Sequence, residues 1–291
     1  MKTITILSGK GGVGKSSITA SLAVLLSEKE KIVAVDCDVD APNLSLILGV
    51  KKIKNRRQIA TNEKAAVNKK AKNCKNIVDV CTFSAISWNE KKNLPEINKF
   101  LCEGCGACKL LCPEGIELKK IKNAVIGEAE TNYKFPLIFG QLKIGESGSG
   151  KIVSEIKKLA ETKQANLMIL DSSAGIGCPV IASLEGSDFV VAITEPTPSA
   201  LSDLKRALQV VEHFRIPYGI IINKYDLNPN FTKKIERFMQ RNKIPLLGKI
   251  PYNKKFVEAL VNLTPIVVYD KRIKKLFKDI LNKIEKHSGI I

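Results

Sequence analysis

The chain has 291 residues, 44% of them hydrophobic, and a formal net charge of +18. That length accommodates one large α/β domain plus a small one, and the composition excludes a disordered polypeptide. No apolar run reaches about eighteen residues, which excludes a membrane-spanning helix, and Met1–Ser8 reads as a strand entering a glycine loop rather than a secretory signal. The expected compartment is therefore the cytoplasm. In a reducing compartment the eight cysteines are read as metal ligands before disulfides. The positive charge suits acidic partners without choosing among nucleotide, nucleic acid, acidic protein and anionic lipid, and a lysine-rich compositional bias gives the same number.

In chain order, Thr3–Ser8 is β-branched and ends in glycines, and Ser16–Ser27 carries apolar residues at helical spacing, so a strand, a loop and a helix are predicted. Lys31–Asp36 is a second buried strand with an acidic cluster at its carboxyl end, the edge where open α/β sheets bind ligands. Further strands are predicted at Leu137–Gly140, Asn166–Asp171, Phe189–Thr194, Tyr218–Asn223 and Pro245–Ile250, with amphipathic helices between them such as Ser199–Phe214. This alternation predicts an α/β fold, a doubly wound and mostly parallel sheet. Between about Lys51 and Lys122 the pattern breaks: the residues turn basic, then cysteine-rich, and long apolar strands disappear. The expected organisation is a discontinuous nucleotide-binding domain, 1–55 and 123–291, with a small inserted domain over 56–122.

G-K-G-G-V-G-K-S, Gly9–Ser16, satisfies G-x-x-x-x-G-K-S between a predicted strand and a predicted helix, the context this motif requires. The loop N–H groups of Gly11, Gly12, Val13, Gly14, Lys15, Ser16 and Ser17 are the candidate phosphate cradle. Lys15 reaches the terminal phosphates, and Ser16 offers its hydroxyl to Mg²⁺.

Lys10 resembles the signature lysine of the deviant Walker A ATPases, the group of MinD, ParA, the Mrp-type iron-sulfur carriers and the nitrogenase iron protein. D-C-D-V-D-A-P-N-L (Asp36–Leu44) resembles the first switch of that group, D-S-S-A-G-I-G (Asp171–Gly177) the second, and I-N-K-Y-D (Ile222–Asp226) its base-side motif. The resemblance implies an ATPase, slow without a partner, that forms an ATP-dependent homodimer in which Lys10 reaches the partner's nucleotide. It further implies that Asp40 orients the attacking water, that Asp38 stands near the hydration shell of Mg²⁺, that Asp171 holds Mg²⁺ through water and that Asn223 bonds the adenine. Asp38 as a turn cap and Asn223 as a partner of loop backbone are the structural alternatives.

C-x-x-C-x-x-C-x-x-x-C-P, Cys102, Cys105, Cys108, Cys112 and Pro113, matches the bacterial ferredoxin run. Zinc is disfavoured, since zinc sites pair two C-x-x-C knuckles from distant segments. In two-cluster ferredoxins the fourth cysteine of each run ligates the other cluster. With Cys81 as the fourth cysteine of an upstream run, the earlier ligand positions hold Ala71, Cys74 and Ile77. The crossing rule then leaves one 4Fe-4S cluster on Cys81, Cys102, Cys105 and Cys108. Cys74 and Cys112 remain as a pair that is disulfide-bonded, free or bound to another ion. Cys37 reads as a core residue. Cys178, at the second switch, carries a lesser expectation as a cluster ligand.

A ferredoxin-like α+β insert after the second strand of such an ATPase resembles the MinD-superfamily branch with an inserted ferredoxin domain. The resemblance implies a P-loop NTPase using ATP, Mg²⁺ and one 4Fe-4S cluster, coupling nucleotide to electron transfer or to iron-sulfur or metal-cofactor assembly on an acidic redox or metallocofactor client. The alternative is a MinD- or ParA-like positioning ATPase acting on membrane or DNA, and a cobyrinate-type amidase lacks a glutaminase region. The discriminating feature is the helix R-I-K-K-L-F-K-D-I-L-N-K-I, whose Ile273, Leu276, Phe277, Ile280, Leu281 and Ile284 share one face opposite lysines. That pattern suits a membrane surface or, as the preferred reading, the cover of a sheet.

Overall fold

The computed structural model describes residues 1–290. Strands β1 (Lys2–Ser8), β2 (Ile32–Asp36) and β3 (Ile53–Ile59) are followed by four short ones, β4 (Asn62–Val67), β5 (Ile86–Asn89), β6 (Leu94–Ile97) and β7 (Ile116–Ile121). After these come β8 (Ala124–Glu130), β9 (Pro136–Leu142), β10 (Leu167–Ala174), β11 (Phe189–Thr194), β12 (Tyr218–Asn223) and β13 (Leu246–Ile250). The chain divides into two compact units. One comprises Met1–Arg56, Ile126–Gln141 and everything from Ser149 onward; the other comprises Arg57–Val125 and Leu142–Gly148. The segment 142–148 lay outside the insert expected from sequence.

The nine-stranded sheet has the order β13-β12-β11-β1-β10-β2-β9-β8-β3, and the seven strands from β13 to β9 pair in parallel. Its central strands are buried on both faces because alternate residues feed two cores. Ile4 and Ile6 of β1, with Phe189, Val191 and Ile193 of β11, join the core that includes the helices Lys15–Ser27 and Lys271–Ser288. Leu7, Val190, Ala192, Ile220 and Ile222 face the other way, towards the helices Pro198–His213 and Pro229–Arg241. The sequence dictates where these two helices start. Thr197 and Asn228 cap them by accepting from Ala200 N (3.2 Å) and Phe231 N (3.0 Å), each just ahead of a proline at the first helical position.

The helix Lys271–Ser288 buries Ile273, Phe277, Ile280, Leu281 and Ile284. It lies so close to β13 that a Cβ on Gly248 would stand 2.4 Å from Ile280 Cγ1. Its apolar stripe therefore covers the sheet. Among the described residues no helix is long and apolar enough to cross a membrane.

The second unit pairs β4 with β7 and β5 with β6, both antiparallel. A small core of Ala65, Ala71, Ile77, Ile86, Cys108, Cys112 and Ile116 lies within it. Segment 142–148 is bound into this unit by Asn62 Nδ2 donating to Ser147 Oγ (2.8 Å), Asn123 Nδ2 donating to Ser147 O (2.9 Å) and the Lys64–Glu146 ion pair (2.7 Å).

Candidate functional site

Parallel register brings the acidic strand ends beside the phosphate loop. Asp171 of β10 pairs in register with Ile6 of β1 on one side and Asp36 of β2 on the other, so all three following loops leave the sheet at one edge. The phosphate loop turns on Gly12 and Gly14, whose φ values of 79° and 93° suit glycine. Gly9 is needed for a different reason: a Cβ there would stand 2.3 Å from the carbonyl carbon and oxygen of Asp203, on the helix Pro198–His213.

A solvent-open cleft of about 580 Å³ lies over this loop, and its lining includes Gly11, Gly12, Gly14, Lys15, Ser16 and Ser17. Asp38 also lines it, whereas Asp40 is exposed and lies outside the lining. Of the two candidate switch carboxylates, Asp38 is thus the one that lines the cleft beside the phosphate loop. The reason is local, because Asp36 is turned inward and accepts from Asp38 N (3.2 Å) and Leu44 N (2.9 Å), folding the segment so that 38 points back.

Lys15 is 7% exposed, and its Nζ donates to Asp171 Oδ1 at 2.7 Å. Thr19 Oγ1 donates to the same oxygen at 2.8 Å. The second oxygen, Asp171 Oδ2, is buried without a hydrogen-bond partner. A buried carboxylate oxygen left open, on a residue that shares Lys15 with the Ser16 hydroxyl (3.5 Å), fits a hydrated Mg²⁺. Burial first, and the neighbouring Asp171 second, push the pKa of Asp36 up to about 7. Burial also raises that of Asp38.

Asn223 does not line the cleft. It is 5% exposed, its Nδ2 donates to Val13 O at 2.7 Å, and its Oδ1 accepts from Lys224 N at 2.9 Å. The side chain thus holds loop backbone, one of the two roles read for it from the sequence. Lys224 continues that underside by donating to Gly12 O at 3.2 Å. Lys10, 38% exposed, stands 3.4 Å from Glu195. Neither Glu195 nor Lys224 was singled out from sequence, although each directly follows a predicted strand end, which is the available signal.

In the second unit, Cys81, Cys102, Cys105 and Cys108 line one small pocket of about 20 Å³ together with Phe83, Ile86 and Ile97. Gly104 has φ 67°, and a Cβ on it would meet Glu63 O at 2.1 Å, so the cysteine loop lies directly on β4. This closeness lets Ala65 N donate to Cys102 Sγ at 3.4 Å, and Ala85 N donates to Cys81 Sγ at 3.3 Å. Burial, then Cys102 and Cys105, raises the pKa of the Cys108 thiol. Among the described residues no three His, Cys, Asp or Glu side chains converge closely enough to hold a metal ion in this structure. The chemistry of the donors is that of an iron-sulfur site, four thiols lining one pocket with two of their sulfurs receiving backbone N–H groups. Cys74 and Cys112 are joined in a disulfide. Cys37 is fully buried, which raises its pKa and leaves an inert thiol. Cys178 is exposed at the start of the helix Cys178–Leu184 in the first unit.

Comparison with known proteins agrees with this architecture. An uncharacterized protein of Methanocaldococcus jannaschii is 38% identical over 285 residues, covering 97% of this chain and 96% of that one. An iron-sulfur cluster carrier protein of Pyrococcus horikoshii is 24% identical, covering 98% of this chain and 88% of its own. Among solved structures, the septum site-determining protein MinD of Pyrococcus horikoshii, complexed with Mg-ADP, superposes with a TM-score of 0.61 at 21% identity, covering 99% and 98% of the two chains. The family described as the CobQ/CobB/MinD/ParA nucleotide binding domain matches residues 4–266, a span that includes the phosphate loop and both acidic strand ends. The chain belongs to that family.

Proposed function

We propose that this protein binds and hydrolyses ATP, carries one 4Fe-4S cluster, and uses nucleotide to close a homodimer that times electron transfer, or iron-sulfur or related metal-cofactor assembly, on an acidic client protein. The observation that carries this reading is the sorting of the cysteines in the second unit. Cys81, Cys102, Cys105 and Cys108 share a pocket, while Cys74 and Cys112 are spent on each other. The unit is read as a ferredoxin-like insert with one of its two cluster sites replaced by a disulfide. Bound to those four cysteines, the cluster would supply reversible one-electron transfer.

The protein's own residues account for the nucleotide half. Main-chain N–H groups from Gly11 to Ser17 receive the phosphates, and Lys15 exchanges Asp171 for the terminal phosphates. Ser16, Asp171 and Asp38 would hold Mg²⁺ and its waters, the ion screening phosphate charge. Asp38 orients the attacking water, and Lys10 acts across the dimer on the partner's nucleotide. Relatives named as iron-sulfur cluster carriers support the reading. The MinD- or ParA-like alternative, supported by relatives of that name, requires a surface for membrane or DNA. The basic helix Lys271–Ser288 has its apolar face in the core, which leaves no apolar face there for a membrane.

Anaerobic purification followed by iron and sulfide quantification, with ATP hydrolysis and association state measured in parallel, tests both halves. About four irons and four sulfides per protomer, the content of one cubane, with association only in ATP, are expected. Iron-free protein, or about eight irons, would remove the cluster assignment.

A further inference from the structure

Glu195 immediately follows β11 and has no part in the phosphate chemistry above. Its Oε1 lies 3.4 Å from Lys10 Nζ, and its Oε2 accepts from Lys224 Nζ at 2.9 Å. Lys224 is itself anchored on Gly12 O, and the preceding Asn223 on Val13 O. The carboxylate side chain is 14% exposed, against 38% for Lys10. The two ends of the contact therefore differ in kind: Glu195 is embedded and held by a second ammonium, whereas Lys10 lies at the surface with one partner. Burial alone would raise the pKa of Glu195, but the hydrogen bonds from Lys224 and Lys10 outweigh it and hold it below the usual carboxylate range.

One carboxylate shared by two lysines makes an asymmetric contact. If Lys10 leaves, Glu195 keeps Lys224 and no unpaired charge is stranded, so the departure avoids the heavy penalty of breaking a buried pair. Held at Glu195, the Lys10 ammonium is committed to its own protomer and cannot serve another. We propose that Glu195 is a positioning residue that retains Lys10 on its own protomer and releases it when a second ATP-bound copy engages, so that the strength of this contact sets the protein concentration at which copies associate. The inference rests on the in-trans reading of Lys10.

The contact itself can be read without dimers. In the nucleotide-free full-length protein, amine acylation followed by peptide mass spectrometry should show Lys10 reacting about two- to fivefold faster in Glu195→Gln than in wild type, the range a partly exposed ion pair commands. Lysines outside the triad should be unchanged. Glu195→Ala should move Lys10 in the same direction and guards against a folding defect in the first variant. With a non-hydrolysable ATP analogue, sedimentation should place the association midpoint of Glu195→Gln about two- to fivefold lower in protein concentration, by the same ion-pair range. The Lys10→Ala background should abolish that difference. Unchanged Lys10 reactivity in both Glu195 variants overturns the retention. Equal association midpoints for wild type and variant overturn the release role alone, whereas an analogue that associates no form of the protein overturns the in-trans reading and the release role with it.

Discussion

Removing the Cys74–Cys112 bridge should separate what staples the second unit from what holds its cluster. The bridge closes a loop with a sequence separation of 38, and loop-closure entropy for that length is worth about 4 kcal/mol. The small core has little to set against such a loss, because besides the three isoleucines Ile77, Ile86 and Ile116 its buried residues are alanines and the cysteines themselves. The double variant Cys74→Ala/Cys112→Ala, which leaves no odd thiol, should therefore unfold this unit at markedly lower denaturant. Trp88, the single tryptophan of the protein, lies on β5 and reports that unit alone. Fluorescence-monitored urea unfolding of the apo protein, compared with far-ultraviolet circular dichroism of the whole molecule, measures the difference. The same variant reconstituted anaerobically should retain about four irons, one cubane, while Cys81→Ala should lose iron or fall to a three-iron form. Iron lost from the double variant but kept in Cys81→Ala would refute both the crossing assignment and the division of labour between bridge and pocket.

Lys15→Ala should abolish nucleotide binding by calorimetry, and it should also destabilise the protein by about 3–5 kcal/mol because Asp171 is left buried without its partner. Lys10→Ala should keep ADP affinity yet lose about 10³ to 10⁵ in ATP turnover, the scale of a charge supplied across an interface in phosphoryl transfer; wild-type turnover in this variant would end the in-trans reading. For Asp36 the folded carboxyl holds its proton up to about pH 7, so its contribution to stability is complete below about pH 4 and is lost as pH rises through about 7. Thermal melts of the nucleotide-free, Mg²⁺-free protein should accordingly decline across that window, and Asp36→Asn, which mimics the protonated form, should flatten the decline; parallel curves would contradict the argument. Liposome flotation with neutral phosphatidylcholine vesicles, which do not attract the protein by charge, should leave it at the bottom of the gradient, since exposing the face of Phe277 and Ile280 would require lifting the helix Lys271–Ser288 off β13.

The parts of the fold legible in sequence were those where local pattern and tertiary role coincide. β1, β2 and β9 to β13 are apolar runs buried on both faces, and the phosphate loop is one contiguous motif. β3 was missed because its residues Ile53–Ile59 carry lysine, arginine and asparagine and are nearly all exposed; a polar strand at the edge of a sheet is protected against pairing by the very charges that hide it from a hydrophobicity reading. β4 and β7 escaped for a related reason, since a two-stranded ribbon over a small core needs only a few apolar positions. At the nucleotide site, spacing located the carboxylates but could not orient them: that Asp36 turns inward and Asp38 outward depends on which backbone N–H groups the polypeptide presents to Asp36. That Asn223 holds loop backbone was one of the two readings of the sequence, but its partner Val13 was not identifiable, because the two residues lie 210 positions apart.

The contact at Gly9 has a mechanical consequence. Where two elements meet through side chains, a displacement of one is absorbed by rotamer changes and reaches the other blunted. Here the first glycine of the phosphate loop abuts the backbone of Asp203 with no side chain between them. Such a contact has almost no compliance. A shift of the loop has to be taken up by the helix Pro198–His213 as a whole body, and its far end, at Val210 and Phe214, is where that helix borders a groove with Ile176 of the second switch and Ile181 of the helix that follows it.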